Sequence, residues 1–130
     1  RLFLFLILPL NPVPASRPRV SKWGTYYAKT YNKFRKQAEH VVPVAIMEQG
    51  LEGCPLTGPL SVDLKFFVRK PKKTALQYPK PDIDNFYKAV LDSLNGKLFV
   101  DDQQVIQLTG SKTWAEPEQD GWIEVTVEDY

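Results

Sequence analysis

Two hydrophobic periods alternate along this chain and divide it into elements. Leu2 to Leu8 is a continuous apolar run stopped by Pro9, which predicts a buried strand. The segment Pro12-Val13-Pro14-Ala15-Ser16-Arg17-Pro18-Arg19 cannot be helical, because its prolines fix an extended backbone. It should be a loop that holds Arg17 and Arg19 in a stiff arm. From Thr25 to Gln49 the period lengthens. Tyr27, Tyr31, Phe34, Ala38, Val41 and Ala45 recur at three- and four-residue steps, the apolar face of a helix. Lys29, Lys33, Lys36 and His40 make a second stripe on the other side. Pro43 removes a backbone donor and should kink or end this helix, with Gly50 and Gly53 closing the segment.

Leu60, Val62, Leu64, Phe66 and Val68 alternate with Ser61, Asp63 and Lys65, the period of a half-buried strand. A proline-punctuated basic loop follows from Arg69 to Pro81, expected to be mobile without a partner. Ile83, Phe86, Tyr87, Val90, Leu91 and Leu94 return to helical spacing. Asp84 is placed to cap that helix, and Asn95-Gly96 to end it. Val105 to Trp114 and Trp122 to Glu128 read as two strands joined through Glu116 to Gly121 as a hairpin. The order β-α-β-α-β-β predicts one α+β domain over residues 1–130, with helices packed on a single mixed sheet.

Composition changes this picture little. With 130 residues, 43% hydrophobic and 25% charged, the chain suits one ordered domain rather than a disordered one. A single cysteine, Cys54, excludes an internal disulfide and a zinc cluster and suits a reducing cytoplasm. Leu2–Leu8 is too short to span a membrane, which takes about 20 helical residues. It is also a poor signal peptide, although Pro14-Ala15-Ser16 leaves that reading weakly open. The chain opens on Arg1 rather than Met, so missing or altered leading residues are expected.

Charge changes the picture more. The net charge is +2, but residues 1–81 hold 14 Lys and Arg against 4 Asp and Glu, and residues 82–130 hold 3 against 11. A basic half can neutralise phosphates. An acidic half can hold divalent cations. Accidental asymmetry on a solvated surface is the competing reading.

The acidic half contains the most specific local pattern. Pro81-Asp82-Ile83-Asp84-Asn85 is followed by Lys88, and Asp101-Asp102 return after a turn. In extended backbone, residues two apart point to one side, so Asp82 and Asp84 can present carboxylates together with Ile83 turned to the core. Only one of Asp101 and Asp102 should join them, since adjacent residues point opposite ways. Hard cations such as Mg²⁺ need oxygen ligands at roughly 2.0–2.1 Å, and such clusters suit phosphodiester hydrolysis. Lys88, one helical turn after Asp84, could neutralise charge building on a phosphate. Taken singly, each has a bland role: Asp84 as a cap, Lys88 paired with Asp84 and Asp92, Asp101-Asp102 as a turn. Asp82 lacks an easy structural role.

The basic half offers Arg17, Arg19, Lys29, Lys33, Lys36, Arg69, Lys70, Lys72 and Lys73 as phosphate contacts, with Trp23, Tyr26 and Tyr27 interleaved. No helix-turn-helix or zinc-finger spacing is present, so recognition by shape or backbone is expected rather than base readout. His40 has no nucleophile at a recognisable spacing and reads as helix surface. Cys54 reads as packing, and no glycine-rich phosphate loop occurs.

These motifs resemble the RusA family of Holliday junction resolvases, which has many phage-encoded members. The likeness covers the Pro-Val-Pro-x-x-Arg-Pro-Arg arm at Pro12–Arg19, Lys-Pro-Asp-Ile-Asp-Asn at Lys80–Asn85, and the run from Lys88 to Gly96. It continues through Phe99-Val-Asp-Asp-Gln-Gln-Val105 and a lysine on the next strand, Lys112, which joins the expected DNA contacts. The resemblance implies a homodimer in the cytoplasm of a bacterium or phage-infected cell. It would bind four-way junctions by shape and make paired nicks with Mg²⁺, or Mn²⁺ in its place, without a small-molecule cofactor. It carries metal-binding aspartates onto Asp82, Asp84 and Asp102 and an essential lysine onto Lys88. Asp101 stays open between a ligand and a supporting residue, and Asn85 would orient a ligand or the helix start. Two other readings stand beside this one: a nuclease for flaps, forks or other branched DNA, and a non-catalytic DNA-binding protein. The intact acid set opposes the last, because carboxylates facing phosphates are costly without a cation between them.

Overall fold

A computed structural model describes residues 2–26 and 28–130, with backbone alone at 25 and 26. Its elements are β1 (Phe3–Leu8), β2 (Arg19–Ser21), β3 (Gly24–Tyr26), α1 (Lys29–Glu48), β4 (Leu60–Val68), α2 (Ile83–Leu94), β5 (Val105–Trp114) and β6 (Trp122–Asp129). Four strands form one mixed sheet in the order β1-β6-β4-β5, with β4 and β5 parallel and the other pairs antiparallel. The helices cover one face of it, so the α+β expectation holds.

The core forms where both periods meet. Leu4, Leu6 and Leu8 of β1, Ile123, Val125 and Val127 of β6, and the alternating residues of β4 point to the helices and are buried. Against them lie Tyr31, Phe34, Ala38, Val42, Ala45 and Ile46 of α1 and Phe86, Ala89, Val90 and Leu94 of α2. Phe86 stacks on Phe66 with ring centroids 5.2 Å apart. The apolar face of α1 is set by Val42 rather than Val41, which is half-buried.

Parallel strands need a crossover, and α2 supplies the one between β4 and β5. Its seat on the sheet is a glycine. A Cβ on Gly110 would fall 2.8 Å from a ring carbon of Tyr87 and 2.9 Å from its hydroxyl, so only a bare backbone lets α2 come this close. Asn95 ends α2 as expected, with Gly96 following at φ +75°.

Several expectations change. β1 is not buried on both faces: Phe3, Phe5 and Ile7 are exposed on the side away from the helices, because no layer covers that face of the sheet among the described residues. Residues 24–26 are strand rather than helix. A tight turn joins β2 to β3, with the Ser21 hydroxyl accepting from the Trp23 N–H, so α1 begins only at Lys29. Tyr27 lies outside the described residues. Pro43 does not end α1, which runs on to Glu48; the proline is exposed, where water can satisfy the carbonyl left without a donor.

β5 and β6 do not form a hairpin. They flank β4 on opposite sides, and the connecting chain crosses the end of that strand. Ala115 donates its N–H to the Val68 carbonyl there, and Gly121 passes so close that a Cβ would meet the Phe67 carbonyl. β4 is paired along both of its edges, and local spacing cannot reveal a strand inserted between two others.

Candidate active site

The site is built along α2. Asp84, Lys88 and Asp92 follow one another at four-residue steps and so share one face. Lys88 Nζ stands 3.3 Å from Asp92 Oδ2. Asp82 occupies the N-cap position with extended backbone, is exposed, and makes no capping hydrogen bond through its side chain. Asp84 is therefore not the cap. It lies in the first turn, where its carboxylate accepts from the Asn85 N–H at 3.0 Å and favours the positive end of the helix. Ile83 is half-buried between them.

The second acidic stretch returns beside this helix. Asp101 caps a 3-10 turn over Asp102–Gln104: its carboxylate accepts from Gln103, and its own N–H donates to the Gln104 side chain at 2.9 Å. Gln104 is itself held by the carbonyls of Leu56 and Gly58. Asp101 is thus occupied as the cap, and Asp102 is the first residue of the turn beside it. Partial burial, then the hydrogen bond and charge of Asp101, then the charge of Asp92 push the Asp102 carboxyl above its ordinary range, while Lys88 pulls it down. The charges of Lys88 and Asp92 on α2 therefore both act on Asp102.

The arginine arm roofs the same region. The Ala15 N–H donates to the Asn85 carbonyl at 2.9 Å, pinning the arm across the start of α2. Beneath it is a cleft of about 390 Å³ lined by Ala15, Ser16, Arg17, Pro18, Tyr31, Asp84, Asn85, Lys88 and Asp92. The arm runs on into the β2–β3 turn, where Trp23 is 86% exposed with Lys22 4.9 Å over its ring.

The structure thus brings together Asp84, Asn85, Lys88 and Arg17, with Asp102 alongside Lys88 and Asp92. It does not bring Asp82, Asp84 and Asp102 into one metal-holding group. Among the described residues no three His, Cys, Asp or Glu side chains converge as a metal-holding group. Asp84 and Asp92 alone are separated by about 12 Å along the helix axis. Mg²⁺ seldom uses an all-protein cage; it commonly binds through one or two carboxylates, with water and substrate phosphate completing the shell. The donors here are all hard oxygens, and Asp102 stands in acidic company that a cation would relieve. The donor chemistry suits such an ion, while a closed protein cage is absent among the described residues.

The other expected residues are more dispersed. Lys29, Lys33 and Lys36 lie on the exposed side of α1, as does His40. Lys70, Lys72 and Lys73 are exposed, while Arg69 pairs with Asp120. The basic loop is tied down at two points, through Trp114 Nε1 on the Leu76 carbonyl and Lys112 Nζ on the Pro81 carbonyl. Arg19 is exposed on β2. Cys54 is half-buried and its thiol is pushed up by burial, which suits packing rather than nucleophilic attack. Two site residues were missed. Asp92 was legible as the next four-residue step after Lys88. Arg35, which sits 5.7 Å over the Tyr31 ring and lines a small pocket with Asp92, left no signal, since nothing local says which side of α1 meets α2.

A lysine among carboxylates, roofed by an arginine-bearing arm, is the equipment of an enzyme acting on phosphodiesters. A family model described as Endodeoxyribonuclease RusA matches residues 9–128, nearly the whole chain, and the protein belongs to this endodeoxyribonuclease family. It is also similar to the uncharacterized protein YqaN of Bacillus subtilis (strain 168), at 33% identity over 121 residues, covering 82% of this chain and 84% of that one. No helix among the described residues is long and apolar enough to cross a membrane.

Proposed function

We propose that this endodeoxyribonuclease resolves four-way DNA junctions by paired phosphodiester hydrolysis, with Mg²⁺, or Mn²⁺ in its place, as its cofactor. The single observation that carries the reading is the cleft itself: Asp84, Asn85 and Lys88 lie under the arm that bears Arg17.

Asp82, Asp84 and Asp102 would hold the cation, with water and substrate phosphate completing its shell, and Asp101 would support Asp102 through the turn it caps. When bound, such an ion would supply polarisation of the phosphate and a lowered pKa for an attacking water. The protein's own side chains do the rest. Lys88 places its ammonium against charge developing on the phosphate. Asn85 fixes the helix start and, through its carbonyl, the arm. Arg17 and Arg19, with Lys29, Lys33, Lys36, Lys70, Lys72 and Lys73, track the backbone. Contacts of this kind give affinity without sequence preference, which suits recognition by shape.

A four-way junction presents two equivalent strands, so two sites related by a two-fold axis match it. An isologous homodimer supplies them. The uncovered apolar side of β1, carrying Phe3, Phe5 and Ile7 on an edge strand, is the surface this reading assigns to the pairing.

Cleavage of a synthetic four-way junction, compared with linear duplex, a flap, a fork and single strands, with and without Mg²⁺, tests the proposal. Symmetric nicks in the junction alone, dependent on the ion, are expected. Preference for the flap or fork would reassign the substrate, and cutting in EDTA would remove the metal.

A further inference from the structure

One face of β5 does more than complete the sheet. Alternate residues of a strand share a face, and Gly110, Lys112 and Trp114 all point toward the helices. Gly110 seats α2 through Tyr87. Trp114 Nε1 donates to the Leu76 carbonyl at 2.9 Å. Between them, Lys112 is half-buried beneath the loop, with its Nζ 2.6 Å from the Pro81 carbonyl oxygen and 5.7 Å from the centre of the Tyr78 ring.

This geometry gives Lys112 a different task from the other lysines. Its charge is already spent on a short, charge-assisted bond to the peptide that leads into Asp82, and on the face of an aromatic ring. The loop needs such an anchor. Its own turn, with the Thr74 N–H on the Pro71 carbonyl at 3.4 Å and the Leu76 N–H on Thr74 Oγ1 at 3.2 Å, stops short of Pro81. Prolines at 79 and 81 supply no N–H. Asp82 is at the N-cap with no bond of its own from its side chain, so its direction depends on the peptide before it.

We propose that Lys112 is a positioning residue: by holding the Pro81 carbonyl it fixes where Asp82, and through the first helical turn Asp84, present their carboxylates. It does not contact DNA. It links the basic loop that meets the substrate to the acids that act on it. The functional half of this inference rests on the nuclease reading; the anchoring half does not.

The test compares Lys112→Met, which keeps the stem and loses the donor, with Lys112→Arg, which restores one. In the free protein the carbonyl carbon of Pro81 and the amide of Asp82 are followed by NMR. Both resonances should move in Lys112→Met and return toward wild type in Lys112→Arg. In parallel, single-turnover cleavage at saturating junction should fall roughly 10–100-fold in Lys112→Met, the usual loss when a supporting partner of a metal ligand is removed. Junction affinity in EDTA, and its salt dependence, should stay within about 2-fold of wild type, since no phosphate contact is lost. Unmoved resonances would overturn the anchor whatever the enzyme does. Moved resonances with weaker binding, a shallower salt dependence and an unchanged saturated rate would make Lys112 a phosphate contact and overturn the positioning role. If wild-type protein cuts no DNA, the resonances still decide the anchor while the nuclease reading fails. Lys112→Gln, too short to reach Pro81, replaces Lys112→Met with the same expectations should the latter not fold.

Discussion

Lys88 and Asp102 come from different stretches of the chain and attract each other: the lysine lowers a carboxyl that burial, Asp101 and Asp92 raise. The same ammonium lies 3.3 Å from Asp92. Lys88 is two-thirds exposed, so neither interaction contributes much to folding. Its value is in the cleft. Lys88→Ala should slow single-turnover cleavage by about 100-fold or more, in line with loss of one donor aimed at developing charge. Junction affinity should fall only modestly. Wild-type cleavage would return Lys88 to a surface ion pair.

Asp102 sets an expectation in pH. Its folded carboxyl lies above the unfolded value, so the folded state takes up the proton more readily. The associated stability is fully present below the unfolded pKa and is lost as pH rises through the folded one. Metal-free Asp102→Asn should therefore melt higher than wild type at neutral pH, with the difference vanishing in acid. Mg²⁺ should raise the melting temperature of wild type more than that of the variant. Equal melting of the two proteins at neutral pH would contradict the crowding of acids described here.

The arm and loop set an expectation in salt. Binding should weaken steeply with ionic strength, with a log–log slope of about −0.9 for each phosphate neutralised. Arg17→Ala and the pair Lys72→Ala with Lys73→Ala should each make the slope shallower. Salt-insensitive binding would contradict a phosphate-tracking surface.

Gly110 tests the architecture independently of the chemistry. Gly110→Ala forces a methyl against the Leu64 carbonyl and Tyr87. It should destabilise the protein by roughly 1–3 kcal/mol, the usual cost of overpacking, as read from denaturant midpoints. An unchanged midpoint would mean that α2 is not held so closely to β5.

Much of this was legible in the sequence because periodicity is local. The strand β4, the helix α2 and its end at Asn95-Gly96 all follow from spacing within a few residues. What failed was non-local. The insertion of β4 between β5 and β6 depends on which edges pair, and the exposure of Phe3, Phe5 and Ile7 depends on which face of the sheet the helices cover. The β2–β3 turn was hidden because Thr25 continues into a helical pattern that its β-prone neighbours override. At the site, the spacing of Asp84 and Lys88 was readable, and so was the return of an acidic pair. That Asp101 rather than Asp102 caps the turn depends on Gln104, whose side-chain amide is held by carbonyls more than 40 residues away. The inward turn of Lys112 was likewise invisible, because a lysine on an edge strand reads as solvent-facing until its strand is placed.

The proposed function requires carboxylates from the start of α2 and from the turn after it to serve one metal site. Replacing Mg²⁺ by Fe²⁺ in the presence of junction DNA and ascorbate tests it most directly, since radicals generated at the ion cut the nearby polypeptide. Scission is expected around residues 82–84 and around residues 101–102 together, both suppressed by excess Mg²⁺ and both lost in Asp84→Asn. Scission at only one of the two stretches, or cuts that Mg²⁺ does not suppress, would contradict it.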